Sequence, residues 1–193
     1  MRNPSVVILA GPNGAGKSTV APELLRGTLA VDVYVNPDLI AQGLAGFDLD
    51  SVAVRAATLM LERIHDLAAS RVSFAFETTL ASRSYARWLR ELRVSGYTAH
   101  LVFLWLPSVE IALQRVAQRV RLGGHGIAAH VVRRRYSTGL RNFLAFYQPI
   151  VNTWSVYDSS VKAGPRLIAL GSEGTVPQIR SPRAWARIKE CVT

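Results

Sequence analysis

Gly11-Pro12-Asn13-Gly14-Ala15-Gly16-Lys17-Ser18 fits the pattern G-x-x-x-x-G-K-[ST]. Each residue type in it has a chemical use. The glycines let the backbone curl until its N–H groups point inward, where phosphate oxygens can sit. A helix starting near Lys17 adds the positive end of its dipole. Lys17 reaches the β- and γ-phosphates of a bound nucleotide, and the Ser18 hydroxyl is a ligand for Mg²⁺. The expected nucleotide cradle is therefore Gly11, Pro12, Asn13, Gly14, Ala15, Gly16, Lys17, Ser18 and Thr19, with ATP or GTP as cofactor and Ser18 on the metal.

Further reactive groups follow other apolar runs. Asn36-Pro37-Asp38 places a carboxylate where it could accept a hydroxyl proton from a phosphoryl acceptor, or where it merely favours the start of a helix. Glu77-Thr78-Thr79 ends the run Val72–Phe76, so an ionised Glu77 needs donors, acceptor hydroxyls or a metal shell nearby. Ser82 and Arg83 add a hydroxyl and a cation at the same edge. Arg115 and Arg119 lie one helical turn apart. Gly123, Gly124 and Gly126 then form a hinge, and Arg133-Arg134-Arg135 follow. Together they read as a lid bringing planar guanidinium forks over a transferring phosphate, or as a solvated basic face. Which of the three consecutive arginines faces the nucleotide stays open. His125 and His130 have no partner at metal-ligand spacing.

The elements that must carry these residues alternate in type. Val6–Ala10, Val31–Val35, Val72–Phe76, Ala99–Leu106, Ser155–Tyr157 and Arg166–Leu170 read as strands. Helices are expected over Lys17–Arg26, from an N-cap at Ser51 through Val52, Ala56, Met60, Ile64 and Ala68, from Ser82 to Val94, from Ser108 to Val120 and from Ala129 to Tyr147. Ser181-Pro182 starts a last short one. Strands alternating with helices imply an α/β domain with a mostly parallel sheet of five to six strands, in which ligands lie at the carboxyl ends.

The 193 residues fit one domain, 1–193, and at 49% hydrophobic and 19% charged they exclude disorder. A net charge of +10 favours an anionic partner without choosing among nucleotide, nucleic acid, membrane surface and acidic protein. The one cysteine, Cys191, allows no intrachain disulfide, and no apolar run is long enough to span a membrane, so the expected location is the cytoplasm.

The phosphate loop also resembles that of transporter-type ATPases, but the Ser-Gly-Gly signature and a strand ending in Asp-Glu are missing. The ordered set of Gly-Pro-Asn-Gly-Ala-Gly-Lys-Ser-Thr, Asn36-Pro37-Asp38, Phe76–Leu80, Phe103–Leu106, Arg115–Arg121 with Gly-Gly-His, and Arg134-Arg135-Tyr136 resembles the small zeta-toxin-like kinases from about residue 5 to residue 160. The resemblance implies a three-layer P-loop kinase fold with a helical lid, using Mg²⁺ and ATP or GTP. It implies transfer of the γ-phosphoryl to a hydroxyl of a UDP-amino sugar such as UDP-N-acetylglucosamine. It puts the base on Asp38, acceptor contacts on Glu77 and Thr79, the loop lysine on Lys17 and the first charge-stabilising arginine on Arg115, while the family's second lid arginine has no clear counterpart; Arg119 and Arg134 as further cations, and Thr78 and Arg83 beside the acceptor, come from the residue pattern itself. A separate antitoxin protein is implied by analogy. Two family elements are absent: a His-Pro after the base, and an Ile-Pro where this chain has Ile127-Ala128-Ala129. A polynucleotide or nucleoside kinase, and a nucleotide-dependent interaction protein without phosphoryl transfer, are the alternatives.

Overall fold

The strand that feeds the phosphate loop is buried on both sides, and its sequence shows why. In β1 (Ser5–Ala10), Val6, Ile8 and Ala10 pack into one apolar cluster while Val7 and Leu9 pack into another. Side chains alternate along a strand, so a continuous apolar run serves two cores at once. The computed structural model describes residues 3–45, 49–124, 126–161 and 163–191, and His125 lies outside them.

β1 is followed by α1 (Lys17–Pro22), β2 (Val33–Val35), α2 (Pro37–Ala45), α3 (Leu49–Ala69), β3 (Phe74–Thr78), α4 (Ser84–Val94) and β4 (Thr98–Trp105). Then come α5 (Val109–Arg121), α6 (Ala129–Asn142), β5 (Thr153–Asp158), β6 (Arg166–Ser172), β7 (Gln178–Ile179) and α7 (Pro182–Glu190). The strand order is β2-β3-β1-β4-β5-β6-β7. The first five strands are parallel, β6 turns back antiparallel to β5, and β7 pairs antiparallel to β6. The expected α/β architecture is present, with seven strands rather than five to six. The extra one is the two-residue β7, too short to leave a pattern, paired at Ala169↔Ile179.

Met60 and Ile64 of α3, Leu89 of α4, Phe143 and Tyr147 beyond α6, and Trp185 of α7 belong to the cluster on one face of the sheet. Ala21 of α1, Ala112 and Val116 of α5, and Val132 of α6 belong to the other. Trp105 and Trp154 are also buried, and Trp154 stacks on Trp185 at 5.5 Å.

Three boundaries differ from the expected ones. Pro22 has no N–H to donate, and the α-helix stops there. The chain continues as a π-helical turn over Glu23–Thr28, with Leu29 N donating to Leu24 O at 3.2 Å. A second π-helical turn, Phe143–Tyr147, follows α6. Ser51 lies inside α3 rather than at its cap, because periodicity locates a helical face and not its first turn.

Candidate active site

β1 delivers the phosphate loop to the carboxyl edge of the sheet, between β3 and β4. Gly11 has φ +142°, and a Cβ there would come within 2.3 Å of the Leu104 carbonyl oxygen. Gly14 has φ +79°, and its Cβ would meet Ala112 O at 2.8 Å. Only glycine lets the loop lie this close to β4 and α5. Gly16, also left-handed, opens α1 and accepts from the Thr19 and Val20 amides.

Lys17 is buried. Its Nζ donates to Gly11 O at 2.9 Å and Pro12 O at 3.0 Å and lies 3.6 Å from Glu77 Oε1. Burial pulls its pKa down from the usual lysine value, while Glu77 and then Asp38 push it back up. A phosphate arriving beside Lys17 adds to the upward push. Nucleotide binding is therefore expected to take up a proton on the alkaline side, and affinity is expected to fall as pH rises through the depressed pKa of the free protein. Calorimetry in two buffers of different ionisation enthalpy measures the uptake, and equal heats in both would refute it.

Glu77, near the end of β3, is also buried. Its Oε2 accepts from Ser18 Oγ at 2.9 Å, Asn36 Nδ2 at 2.9 Å and Tyr34 OH at 2.5 Å. Burial and Glu77 together raise the Tyr34 phenol pKa, so Tyr34 stays a donor. Asn36 works in two directions. Its amide holds Glu77, and its carbonyl oxygen accepts from Asp38 N at 2.8 Å, capping α2. Asn36→Ala is expected to cost about 1–3 kcal/mol, because it removes a cap and a donor to a buried carboxylate. A Tm lowered by roughly 2–10 °C would register this, and an unchanged Tm would contradict it.

Asp38, in the first turn of α2, faces the same cavity as Lys17. The cavity has a volume of about 1010 Å³. Arg119 Nη1 lies 3.6 Å from Asp38 Oδ2, with both side chains partly exposed. Arg134 and Arg135 also line it, whereas Arg133 pairs with Glu110 at 3.6 Å. Burial, then Arg134, lower the Arg135 pKa, and Asp38 opposes them. Gly124, Gly126 and Ile127 bring the α5–α6 connection to the rim.

Two expected site residues are placed differently. Arg115 donates to Ser159 O at 2.8 Å and Gly14 O at 3.3 Å, and Ser159 Oγ donates to Ala15 O at 2.5 Å. Arg115 thus braces the back of the phosphate loop against the segment after β5. Arg83 turns toward the end of α6, its guanidinium 4.2 Å from the Phe146 ring centre. Thr78, Thr79 and Ser82 do line the cavity, on a loop anchored from behind. Leu80 in that loop has φ +56°, an unfavourable value for leucine. Asn142 Nδ2 donates to Leu80 O at 2.7 Å, Tyr147 OH donates to Ser82 O at 2.6 Å, and a Cβ on Gly139 would meet Thr79 O at 2.2 Å.

These residues suit a nucleotide tail and a divalent cation. Asn13 Oδ1 is a buried acceptor without a partner among the described residues, at a cavity wall that also carries Lys17 and Glu77. Ser18 Oγ and Glu77 form an oxygen donor set of the kind Mg²⁺ takes.

The model of the AAA domain family AAA_33 matches residues 6–143. The chain belongs to this family. Among relatives of the AAA_33 chain, an uncharacterized protein of Haemophilus influenzae is 29% identical over 130 residues, covering 67% of this chain and 91% of that one. A cytidylate kinase of Saccharolobus islandicus is 25% identical over 170 residues, covering 79% of each. In solved structures, the AvrRxo1-ORF1:-ORF2 complex with ATP superposes with a TM-score of 0.77 at 18% identity, over 97% of this chain and 64% of that one. This chain thus spans just under two thirds of the AvrRxo1 chain. The PezAT toxin–antitoxin system of Streptococcus pneumoniae superposes with a TM-score of 0.60 at 17% identity, over 82% of this chain and 68% of that one. The AAA_33 chain shares its α/β fold with these structures and carries the phosphate-loop sequence at residues 11–18.

The AAA_33 site also holds groups that spacing does not assign. Tyr34 is a residue of an alternating strand, and Ser159 follows a strand with no motif around it. For Asn36 the N-cap position before Pro37 was the available signal.

Proposed function

We propose that this AAA_33 chain is a kinase transferring the γ-phosphoryl of ATP or GTP to a hydroxyl of a small molecule. The observation that carries the reading is the convergence of Lys17 and Asp38 on one cavity at the carboxyl ends of β1 and β2. Asp38, which lines that cavity, would accept the acceptor's hydroxyl proton. Lys17 holds the transferring phosphate, and Arg119 and Arg134 offset its developing charge, with Arg135 beside them. Ser18 and Glu77 would hold Mg²⁺, which supplies neutralising charge at the β- and γ-phosphates. Arg115 serves the loop's shape rather than the phosphate directly.

The zeta-toxin resemblance contributes a named acceptor, UDP-N-acetylglucosamine, and a separate antitoxin. The +10 charge makes an oligonucleotide a necessary comparator. The test is labelled ATP with Mg²⁺ and a panel of UDP-sugars, nucleosides and oligonucleotides, run beside Lys17→Ala. Label in one acceptor, absent with the variant, supports the reading. ATP binding with label in none supports a nucleotide-dependent interaction protein instead.

A further inference from the structure

The lining of the cavity divides by element into two kinds of chemistry. The cations Lys17, Arg119, Arg134 and Arg135 come from the phosphate loop, α5 and α6. The α2–α3–α4 side contributes Ala41, Ala53, Ala56, Ala57, Met60 and Tyr85. Positions 53, 56, 57 and 60 fall on one face of α3 at helical spacing, so a row of methyl groups ending in a thioether confronts the site. Where this side meets the reacting centre, its charged groups are carboxylates, Asp38 and Glu77, and its other polar groups are the hydroxyls and amides of Thr78, Thr79, Ser82 and Gln42. No Lys or Arg among the described residues lines it.

An acceptor that brought its own phosphates would lay them against methyl groups and carboxylates. The cavity's cations are already engaged: Lys17 lies 3.6 Å from Glu77 and Arg119 3.6 Å from Asp38, and a nucleoside triphosphate would draw on them as well. An uncharged ring or short chain has the opposite balance. Its apolar face gains by covering the exposed Ala53 and Ala57, with the buried Ala56 and Met60 behind them, and its hydroxyls find partners in Thr78, Thr79 and Ser82.

We infer that the phosphoryl acceptor is an uncharged hydroxyl compound with an apolar face, seated on the alanine face of α3, and that it carries no phosphate before the reaction. This rests on the kinase reading. In the transfer, the acceptor oxygen gives its proton to Asp38 and forms a bond to the γ-phosphorus. The bond from that phosphorus to the β–γ bridging oxygen breaks, leaving the nucleoside diphosphate. The product is a phosphomonoester, so a reaction class that consumes activated or trapped phosphomonoesters must follow it.

The test separates a bacterial metabolite extract by anion exchange into an uncharged and an anionic fraction. Each fraction is incubated with [γ-³²P]ATP, Mg²⁺ and the full-length protein, and UDP-N-acetylglucosamine is added as a defined anionic probe. Label is expected in products of the uncharged fraction that have become anionic by one phosphate. Ala57→Arg, at an exposed position of the wall, is expected to reduce that transfer about tenfold or more while leaving the MgATP-induced thermal shift in place. Label confined to the anionic fraction or to UDP-N-acetylglucosamine, or transfer that rises with Ala57→Arg, overturns the acceptor class and leaves the kinase reading standing. No label above the Lys17→Ala control in either fraction overturns both.

Discussion

Asp38→Asn is expected to lower turnover by about 10²–10⁴-fold with the true acceptor, while MgATP binds as before. Asparagine keeps the shape of the side chain but cannot take a proton from a hydroxyl. The loss should therefore appear in kcat rather than in nucleotide affinity. Fold stability should change little, since the carboxylate and its partner Arg119 are both partly open to solvent at 3.6 Å. Single-turnover rates with saturating MgATP, read beside a melting curve, separate the two. A variant with near-full turnover would remove Asp38 from the role of base.

Lys17→Ala is expected to lose on the order of 10²-fold or more in turnover and most of the nucleotide affinity. Unlike Asp38, Lys17 is also part of the interior. Without its ammonium, Gly11 O and Pro12 O lose a donor and Glu77 loses its nearest cation. A destabilisation of about 1–3 kcal/mol should accompany the loss of function. Lys17→Met fills more of the same space, so it should recover part of the Tm without recovering affinity. Titration calorimetry and thermal melts on the pair measure both effects. Full affinity in either variant would contradict the phosphate role.

Much of the cradle was readable because its chemistry is local. A loop that bends around phosphate needs glycine at fixed offsets, and Gly11, Gly14 and Gly16 show that need in their positive φ, Gly11 and Gly14 also in their close neighbours. The strands were readable because alternation and continuous apolar runs report burial directly, as in β1. Strand order was not, since it is set by packing between segments far apart in the chain. The Glu77 network was hidden for the same reason: Ser18, Tyr34 and Glu77 come from three elements and Asn36 from the turn after β2, and they meet only after β3 has paired between β1 and β2. Arg115 shows that spacing alone does not say what an arginine touches. It lies one turn from Arg119 on α5, yet it reaches Gly14 and Ser159 while Arg119 reaches Asp38. Among the three consecutive arginines, the fold directs Arg134 and Arg135 to the cavity and Arg133 to Glu110.

The sheet ends on one side in the three-residue β2 and on the other in the two-residue β7. An outermost strand exposes unpaired amides and carbonyls that can recruit a neighbouring molecule into a growing aggregate. Segments this short give an incoming strand few bonds to form, and the apolar β1 and β4 are paired on both sides. Concentrated solutions of the folded chain should accordingly resist fibril growth from these margins.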